Sequence, residues 1–313
     1  MKKRNTMPCN ICIFVGVILF QLWTLTSASK AFGQEPPPLP FHAAEGVGGL
    51  WLTHSACLVN PPEKGKVFGS PSVGGMFVDL GHEKHLEIFT MTETLWGRVE
   101  LGYGFIRASL GDLPQKIEQA TTVAISDQSI CLHNFNMRVA ILQEGAFNKQ
   151  WMPALTAGIH YKYNSEISDI DDELFGTLKT IGIKDNDGLD FTLYASKMIS
   201  GLPRPVMINA GIRSTKGAHV GLLGFTDKRK IVGEASIAVF ITNRFIMATE
   251  YRQKPNEYEA IPGLIKEEED WWSVICGYII NDRMTIGGGY GHFGGLLNHE
   301  ANSIWGVALK YEF

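Results

Sequence analysis

Beyond its first 33 residues, the chain lacks any apolar run approaching the roughly 20 residues that a membrane-spanning helix needs. This excludes a helical membrane protein for the remainder of the sequence. At the start, Lys2-Lys3-Arg4 precedes an apolar run over residues 11–25, and Ala31-Phe32-Gly33 offers the small residues that a signal peptidase reads. Because two polar residues interrupt the run, we interpret residues 1–33 as a cleaved export signal rather than an anchor.

Cysteine and positive charge are also scarce. Without residues 1–33, the chain has 24 basic and 32 acidic side chains, a formal charge of −8 that argues against nucleic acid as a partner. Cys57, Cys131 and Cys276 remain, and an odd number excludes a complete intramolecular disulfide framework. What is abundant is glycine, 34 residues, together with 11% aromatic residues, which favours many short strands joined by tight turns.

The final nine residues alternate between large apolar and small or charged side chains. The large apolar set shares one face of a strand, since successive side chains point to opposite sides. In an outer-membrane barrel this would be the closing strand, with the apolar face against lipid and the terminal phenylalanine part of the signal read by the barrel-assembly machinery. The predicted assembly signal comprises Trp305, Val307, Leu309, Tyr311 and Phe313.

Similar alternation continues upstream. It predicts about twelve strands between residues 72 and 313, with short turns such as Asn281-Asp282 alternating with long loops. Long loops on one rim and short turns on the other are typical of outer-membrane barrels, in which the long loops lie outside. We therefore predict an all-β protein, an antiparallel transmembrane β-barrel in the outer membrane of a Gram-negative cell, surrounded by lipid and lipopolysaccharide.

One segment does not fit an even strand count. Residues 46–59 resemble a thirteenth strand, and an odd number would place one terminus outside the cell. We expect the segment either to lie inside the lumen or to cap its periplasmic mouth; alternatively, it joins the wall with another segment, giving about fourteen strands. The predicted organisation is therefore an export signal over 1–33, a periplasmic lead-in and plug over 34–71, and the barrel over 72–313.

Several short motifs resemble the proteobacterial outer-membrane family known as domain of unknown function 3034. They are Asp185-Asn-Asp-Gly-Leu-Asp190-Phe191, Gly221-Leu222-Leu223-Gly224-Phe225, Glu250-Tyr251-Arg252-Gln253-Lys254-Pro255 and Glu269-Asp270-Trp271, in matching order along residues 46–313. The stretch between Lys254-Pro255 and Glu269 is longer than in that pattern, and Trp272 stands where the family often has tyrosine. The resemblance implies an outer-membrane barrel and no particular activity.

Strand parity places a set of mainly charged residues on the lumen side. These lumen-lining candidates are Arg98, Glu100, Arg138, His160, Lys162, Asp190, Arg213, Glu234, Arg244, Glu250 and Arg252. A lumen of about twelve strands is narrow, so its charges either pair into a packed interior or form a selectivity filter. Because basic residues outnumber acids in this set, a conducting lumen should favour anions.

Catalytic and metal-binding alternatives have weaker support. An outer-membrane acyl hydrolase needs serine and histidine on the outer wall, and no outward serine accompanies His160. Loop carboxylates could bind a divalent cation through oxygen ligands, but they do not follow the EF-hand pattern. These candidates are Asp169, Asp171, Asp172, Asp185 and Asp187. We predict no enzyme activity, no cofactor and no defined metal site.

The sequence is therefore compatible with two alternative functions. The chain is expected to pass or bind a small solute whose identity the sequence does not reveal. The alternative is a structural or surface-interaction barrel with a closed, salt-bridged lumen.

The terminal strand generates a first test. Deleting Phe313 should lower the amount of folded barrel in the outer membrane, because the deletion removes part of the assembly signal. The measurement is the fraction of protein that shows a heat-dependent shift in gel mobility. Unchanged assembly would refute the role assigned to this residue.

Overall fold

The computed structural model describes residues 41–313, and its main feature is a closed antiparallel barrel of twelve strands. Each wall strand pairs with its neighbours along the chain, the last strand pairs with the first, and no wall strand has an open edge. In hydrocarbon such closure is required, since an unpaired strand edge would leave backbone groups without hydrogen-bond partners. The predicted fold class and strand number are confirmed. The wall has twelve strands rather than fourteen.

The wall strands are long and regular, and three short strands lie in the loops. In chain order the wall contains β1 (Ser72–Gly81), β2 (Lys84–Leu95), β3 (Val99–Ser109), β4 (Ser129–Leu142), β5 (Ala154–Asn164), β7 (Asp187–Ile199), β8 (Val206–Gly217), β9 (Phe225–Phe240), β10 (Phe245–Arg252), β11 (Trp271–Asn281), β12 (Met284–His292) and β15 (Ile304–Glu312). The short strands are β6 (Ile183–Asp185), β13 (Gly294–Leu296) and β14 (His299–Ala301). The helices are α1 (Leu113–Thr121), α2 (Ile167–Glu173) and α3 (Thr177–Ile181), with 3₁₀ turns at Ala146–Asn148 and Ala218–Gly221.

The outer surface of the barrel carries an apolar belt. Exposed large side chains recur at alternate positions on most wall strands, including Phe89 and Met91 on β2 and Phe135 and Met137 on β4. On β15 the outward set is Trp305, Val307, Leu309 and Tyr311, while Gly306 and Lys310 face inward and are buried. This arrangement matches the alternation read from the sequence, because a strand that separates lipid from a filled interior needs opposite chemistry on its two faces.

The two rims differ in the length of their connections. Five connections on one rim are short or moderate, such as residues 282–283 and 241–244, and we call this the short-turn rim. The opposite long-loop rim carries all three helices and the three short strands; its one tight connection is His82-Glu83. Among residues 41–313 no helix is long and apolar enough to cross a membrane.

Most strand boundaries agree with the sequence to within three residues, but β9 does not. The sequence suggested a loop over residues 216–230. In the structure β9 begins at Phe225, and its first residues pair with β8 and β6. Exposed Asp227, Lys228, Arg229 and Lys230 made this part resemble a loop; instead, the β8–β9 hairpin extends beyond the apolar belt. The export signal predicted over residues 1–33 lies outside the described residues.

The facing of β15 can be tested by substitution. Val307 is 51% exposed in the middle of β15 within the belt, whereas Ile231 is 72% exposed beside Lys230 and Arg229 beyond it. Val307→Arg should lower the free energy of unfolding in lipid by about 2–4 kcal/mol, and the matched Ile231→Arg by about 0–1 kcal/mol. Urea titration of both variants in bilayers measures the difference; equal costs would place the belt elsewhere.

Candidate functional site

The barrel lumen is filled by residues 41–59, which we call the lumen segment. Both of its ends lie at the short-turn rim: His42 contacts Ser72 at the start of β1, and Val59 contacts Thr94 near the end of β2. Between these ends the segment rises to Trp51-Leu52 and turns back, with bridges of its own at His42–Gly48 and Gly49–His54. It is therefore a folded-back loop inserted from one rim, and it is not a wall strand.

Glycines on the inner wall make room for this segment. A Cβ at Gly102 on β3 would lie 1.9 Å from the carbonyl oxygen of Gly46, and a Cβ at Gly277 on β11 would lie 2.0 Å from the ring of Phe41. Any side chain at either position would overlap the segment. Part of the high glycine content thus serves close packing inside the barrel as well as its turns.

Charged side chains of the wall satisfy the backbone of the segment. Glu100 accepts hydrogen bonds from the N–H groups of Gly48 and Val59 at 3.2 and 2.7 Å, and Glu250 accepts from those of Leu52 and Thr53, each at 2.9 Å. Arg138 pairs with Glu100 at 2.7 Å and donates to the carbonyl oxygen of Ser55 at 2.6 Å. The segment's internal backbone hydrogen bonds, such as that from Ala44 N–H to the carbonyl oxygen of Trp51, do not use these groups, so the wall side chains are needed to bury them.

The only Asp, Glu, Lys or Arg within the lumen segment is Glu45, and it binds three cations of the wall. Its carboxylate lies 2.7 Å from Arg213 Nη2 and 3.6 Å from Arg252 Nη2, and it also contacts Lys162 Nζ. Asp190 and Glu234 share these cations: Asp190 lies 2.9 Å from Lys162, and Glu234 lies 2.8 Å from Arg213. With Glu45 in place, three positive and three negative groups balance.

The protonation of the segment fits this balance. Burial alone would raise the pKa of Glu45, but Arg213, Lys162 and Arg252 hold it well below its ordinary value, so the group is a carboxylate. Burial lowers the pKa of His54 to about 4, and this neutral ring lies 2.7 Å from Glu45. Removing Glu45 would thus leave one net positive charge in a buried site, and breaking such pairs costs about 3–5 kcal/mol.

Nine of the eleven lumen-lining candidates are buried on the inner face. They are Glu100, Arg138, His160, Lys162, Asp190, Arg213, Glu234, Glu250 and Arg252. The other two predictions are corrected, because Arg98 and Arg244 are exposed in short turns just before β3 and β10. Parity extended beyond a strand end has no structural meaning, since a turn does not keep the alternation. The basic excess inferred from the sequence disappears, leaving four cations and four carboxylates.

The structure also locates the remaining candidates from the sequence, His160 and the five loop carboxylates. His160 faces the lumen and bonds Asn136 and Thr192 at 2.6 and 2.9 Å, so it is not on the outer wall where an acyl hydrolase would need it. Asp171 accepts hydrogen bonds from the backbone N–H groups of Leu178 and Lys179 near the start of α3. Asp169, Asp172, Asp185 and Asp187 are exposed. Within residues 41–313 no three histidine, cysteine or acidic side chains converge as metal ligands.

The sequence did not identify the segment's role in this charge cluster. Glu45 precedes the strand-like residues 46–59, and that stretch, with His54, is not a wall strand, so the parity of the wall could not assign either side chain a face. A usable signal did exist: a single acid among apolar and glycine residues, in a segment predicted to enter a charged lumen. Such an acid must find a cationic partner when buried.

Two apolar cavities lie toward the long-loop rim. One, of about 50 Å³, lies between the lumen segment and the wall, lined by Leu52, Val78, Leu86, Ile106 and Ile304, with Glu45 and Arg252 at its edge. The second, of about 80 Å³, lies in the long-loop cap among α1, α2 and α3. Buried aliphatic residues connect the cap and the upper lumen as one continuous cluster.

With the fold and lumen defined, the family can be stated. The family model described as protein of unknown function (DUF3034) matches residues 71–309. The chain belongs to this family. The matched region is the barrel wall with its loops, so the resemblance read from the sequence motifs is confirmed, whereas the lumen segment precedes the match. A search of curated proteins finds no match to the chain.

Solved structures with similar folds are outer-membrane barrels. The NanC porin is 12% identical, with a TM-score of 0.44, covering 78% of this chain and 98% of its own. An outer membrane channel from Pseudomonas putida F1 is 8% identical, with a TM-score of 0.42 and coverages of 81% and 98%. The Salmonella typhi outer membrane phospholipase, a dimer with bound calcium, is 9% identical, with a TM-score of 0.39 and coverages of 77% and 90%. Such likeness concerns architecture alone.

The close contact between Gly102 of this DUF3034 barrel and the lumen segment permits a test of the segment's position. Gly102→Val should expel the segment, while Gly75→Val is a matched control because a Cβ at Gly75 meets open space. The reporter is Cys57 in a protein lacking the other two cysteines; burial raises the pKa of its thiol to about 11, so it should react slowly with maleimide. Expulsion should accelerate labelling by about tenfold or more.

Labelling of Gly102→Val at the rate of the parent protein would contradict this position for the segment. Acceleration in Gly75→Val as well would indicate general loosening of the barrel. Heat-dependent gel mobility of both variants shows whether the barrel itself is folded.

Proposed function

We propose that this protein is an outer-membrane barrel in which the lumen segment gates a passage for a small solute. The observation that carries the proposal is the independence of the wall from the segment. All twelve wall strands close through pairing with one another, and residues 41–59 add no strand to that sheet. The segment can therefore leave the lumen without exposing backbone groups of the wall to lipid.

The position of the segment supports the same proposal. Both of its ends lie at the short-turn rim, so it can withdraw through that rim without threading past the loop cap. Side-chain contacts rather than a continuous ladder hold it in place, as with Ala56, whose N–H donates to Ser196 Oγ at 2.7 Å. Elements held this way can have two discrete arrangements.

A closed structural barrel is the second candidate, and the density of buried ion pairs favours it. Arg213 alone contacts Glu45, Asp190 and Glu234, and such networks hold a lumen shut. The two functions differ in one measurable property. A gated passage conducts once the segment is displaced, whereas a structural barrel has no need to do so.

Planar-bilayer conductance of the refolded protein distinguishes the two. Deleting residues 41–59 should increase ion conductance well above that of the full chain, because the deletion removes the material filling the lumen. A folded deletion variant with the same near-zero current would support the structural barrel and contradict the gate.

A reversible lock provides the matched control. Ser196 Oγ accepts a hydrogen bond from the N–H of Ala56, the residue before Cys57, so Ser196→Cys introduces a thiol close to a native one, in a protein lacking Cys131 and Cys276. Oxidation should tie the segment to β7 and suppress openings, and reduction should restore them. Openings unaffected by a formed disulfide would show that current passes without movement of the segment.

A further inference from the structure

The place occupied by Glu45 has the properties of a binding site for a carboxylate. Two oxygens of this side chain are held by Arg213 and Lys162, with Arg252 and His54 beside them, and every one of these groups is buried. Paired cationic donors around both oxygens are the usual means of recognising a carboxylate group. The segment thus places its own carboxylate in a cradle formed by β5, β8 and β10.

When the segment withdraws, the cradle loses the negative charge of Glu45 and another anion is needed to balance its cations. Without Glu45, the cations Lys162, Arg213 and Arg252 face only Asp190 and Glu234, and one positive charge is uncompensated. An anion that enters the cradle removes that deficit. Such an anion binds the open arrangement and not the closed one, so it shifts the population toward opening.

The cavity beside the cradle determines what the rest of the anion must be. Glu45 and Arg252 form one edge of the 50 Å³ cavity, and the other lining groups are mostly aliphatic or aromatic, among them Leu52, Val78 and Ile106. A body attached to a carboxylate at this edge would therefore meet an apolar surface. The cavity enlarges when the segment, which supplies Trp51 and Leu52, moves away.

A wall tryptophan lining the same cavity supports an occupant with a hydrogen-bond acceptor. Within residues 41–313, the buried indole N–H groups of Trp51 and Trp271 have no acceptor, and Trp271 stays in the wall when the segment withdraws. Leaving a buried donor unsatisfied is costly, so an acceptor brought to Trp271 by a solute would be favourable. The aliphatic cluster around this cavity continues into the loop cap.

We propose that the solute is a small monocarboxylate with an apolar body, whose carboxylate takes the place of Glu45 against Lys162, Arg213 and Arg252 and whose body occupies the adjoining cavity. This inference rests on the proposed gating function and names its solute class. Glu45 then acts as an internal competitor of the solute.

Benzoate is a suitable probe, compared with neutral benzamide, which has the same ring, and with acetate, which has no apolar body. Calorimetry on the full chain in lipid nanodiscs should show benzoate binding about tenfold or more tighter than either, the scale of a charge-assisted hydrogen bond or of a buried ring. Benzamide binding as tightly as benzoate would overturn the carboxylate cradle, and acetate binding as tightly would overturn the apolar site.

A second measurement removes the carboxylate of Glu45, which competes with the solute. Glu45→Gln should tighten benzoate binding by about tenfold, whereas Glu63→Gln should not, because Glu63 is an exposed acid beyond the lumen segment. Leu86→Trp, which fills the cavity from β2, should weaken benzoate while leaving acetate unchanged. Unchanged benzoate affinity in a folded Glu45→Gln protein would sink the proposal.

Failure of this inference and failure of the gate are distinguishable. Conductance in the protein lacking residues 41–59, without any preference for benzoate in the full chain or in Glu45→Gln, would retain the gate and reject the solute class. Tighter benzoate binding in Glu45→Gln, with no current in the deletion, would retain the carboxylate site and reject the gate.

Discussion

The contact of Glu45 with Lys162, Arg213 and Arg252 is the interaction on which the state of the lumen depends. Three cations from three strands project into one buried region, and two wall carboxylates do not neutralise them. The third carboxylate comes from a segment outside the wall. Because an unpaired buried charge is far more costly than a paired one, the filled lumen is the stable arrangement of this chain.

This ionic contact works together with backbone satisfaction at two other points. Glu100 and Glu250 accept hydrogen bonds from four N–H groups of the segment, and glycines such as Gly102 bring the wall close enough for contact. The segment has little regular structure of its own, so its conformation is imposed by the wall. The wall, in contrast, closes through its own strand pairing without any residue of the segment.

The lumen is also divided by chemistry. Toward the long-loop rim, the side formed by β5 to β10 carries the ion pairs around Arg213, while the side formed by β1 to β3, β12 and β15 carries aliphatic residues such as Val78 and Ile106. The Glu45 carboxylate lies at the boundary. Polar orientation groups beside an apolar surface are the usual composition of a small-molecule site, and a purely structural filling does not require that division.

The sequence by itself determined the barrel, because alternation with a period of two is imposed on every strand that separates lipid from an interior, and β15 shows it from Trp305 to Tyr311. It also placed Arg138, Lys162 and Arg213 on the inner face. It misplaced Arg98 and Arg244, since alternation ends with the strand, and it missed the start of β9, whose charged residues extend into water. Only the tertiary structure decided which inward charges meet, and that Glu45 is their partner. Periodicity assigns a side chain to a face, but pairing depends on strand stagger and on the path of an irregular segment, and neither has a local signature in the sequence.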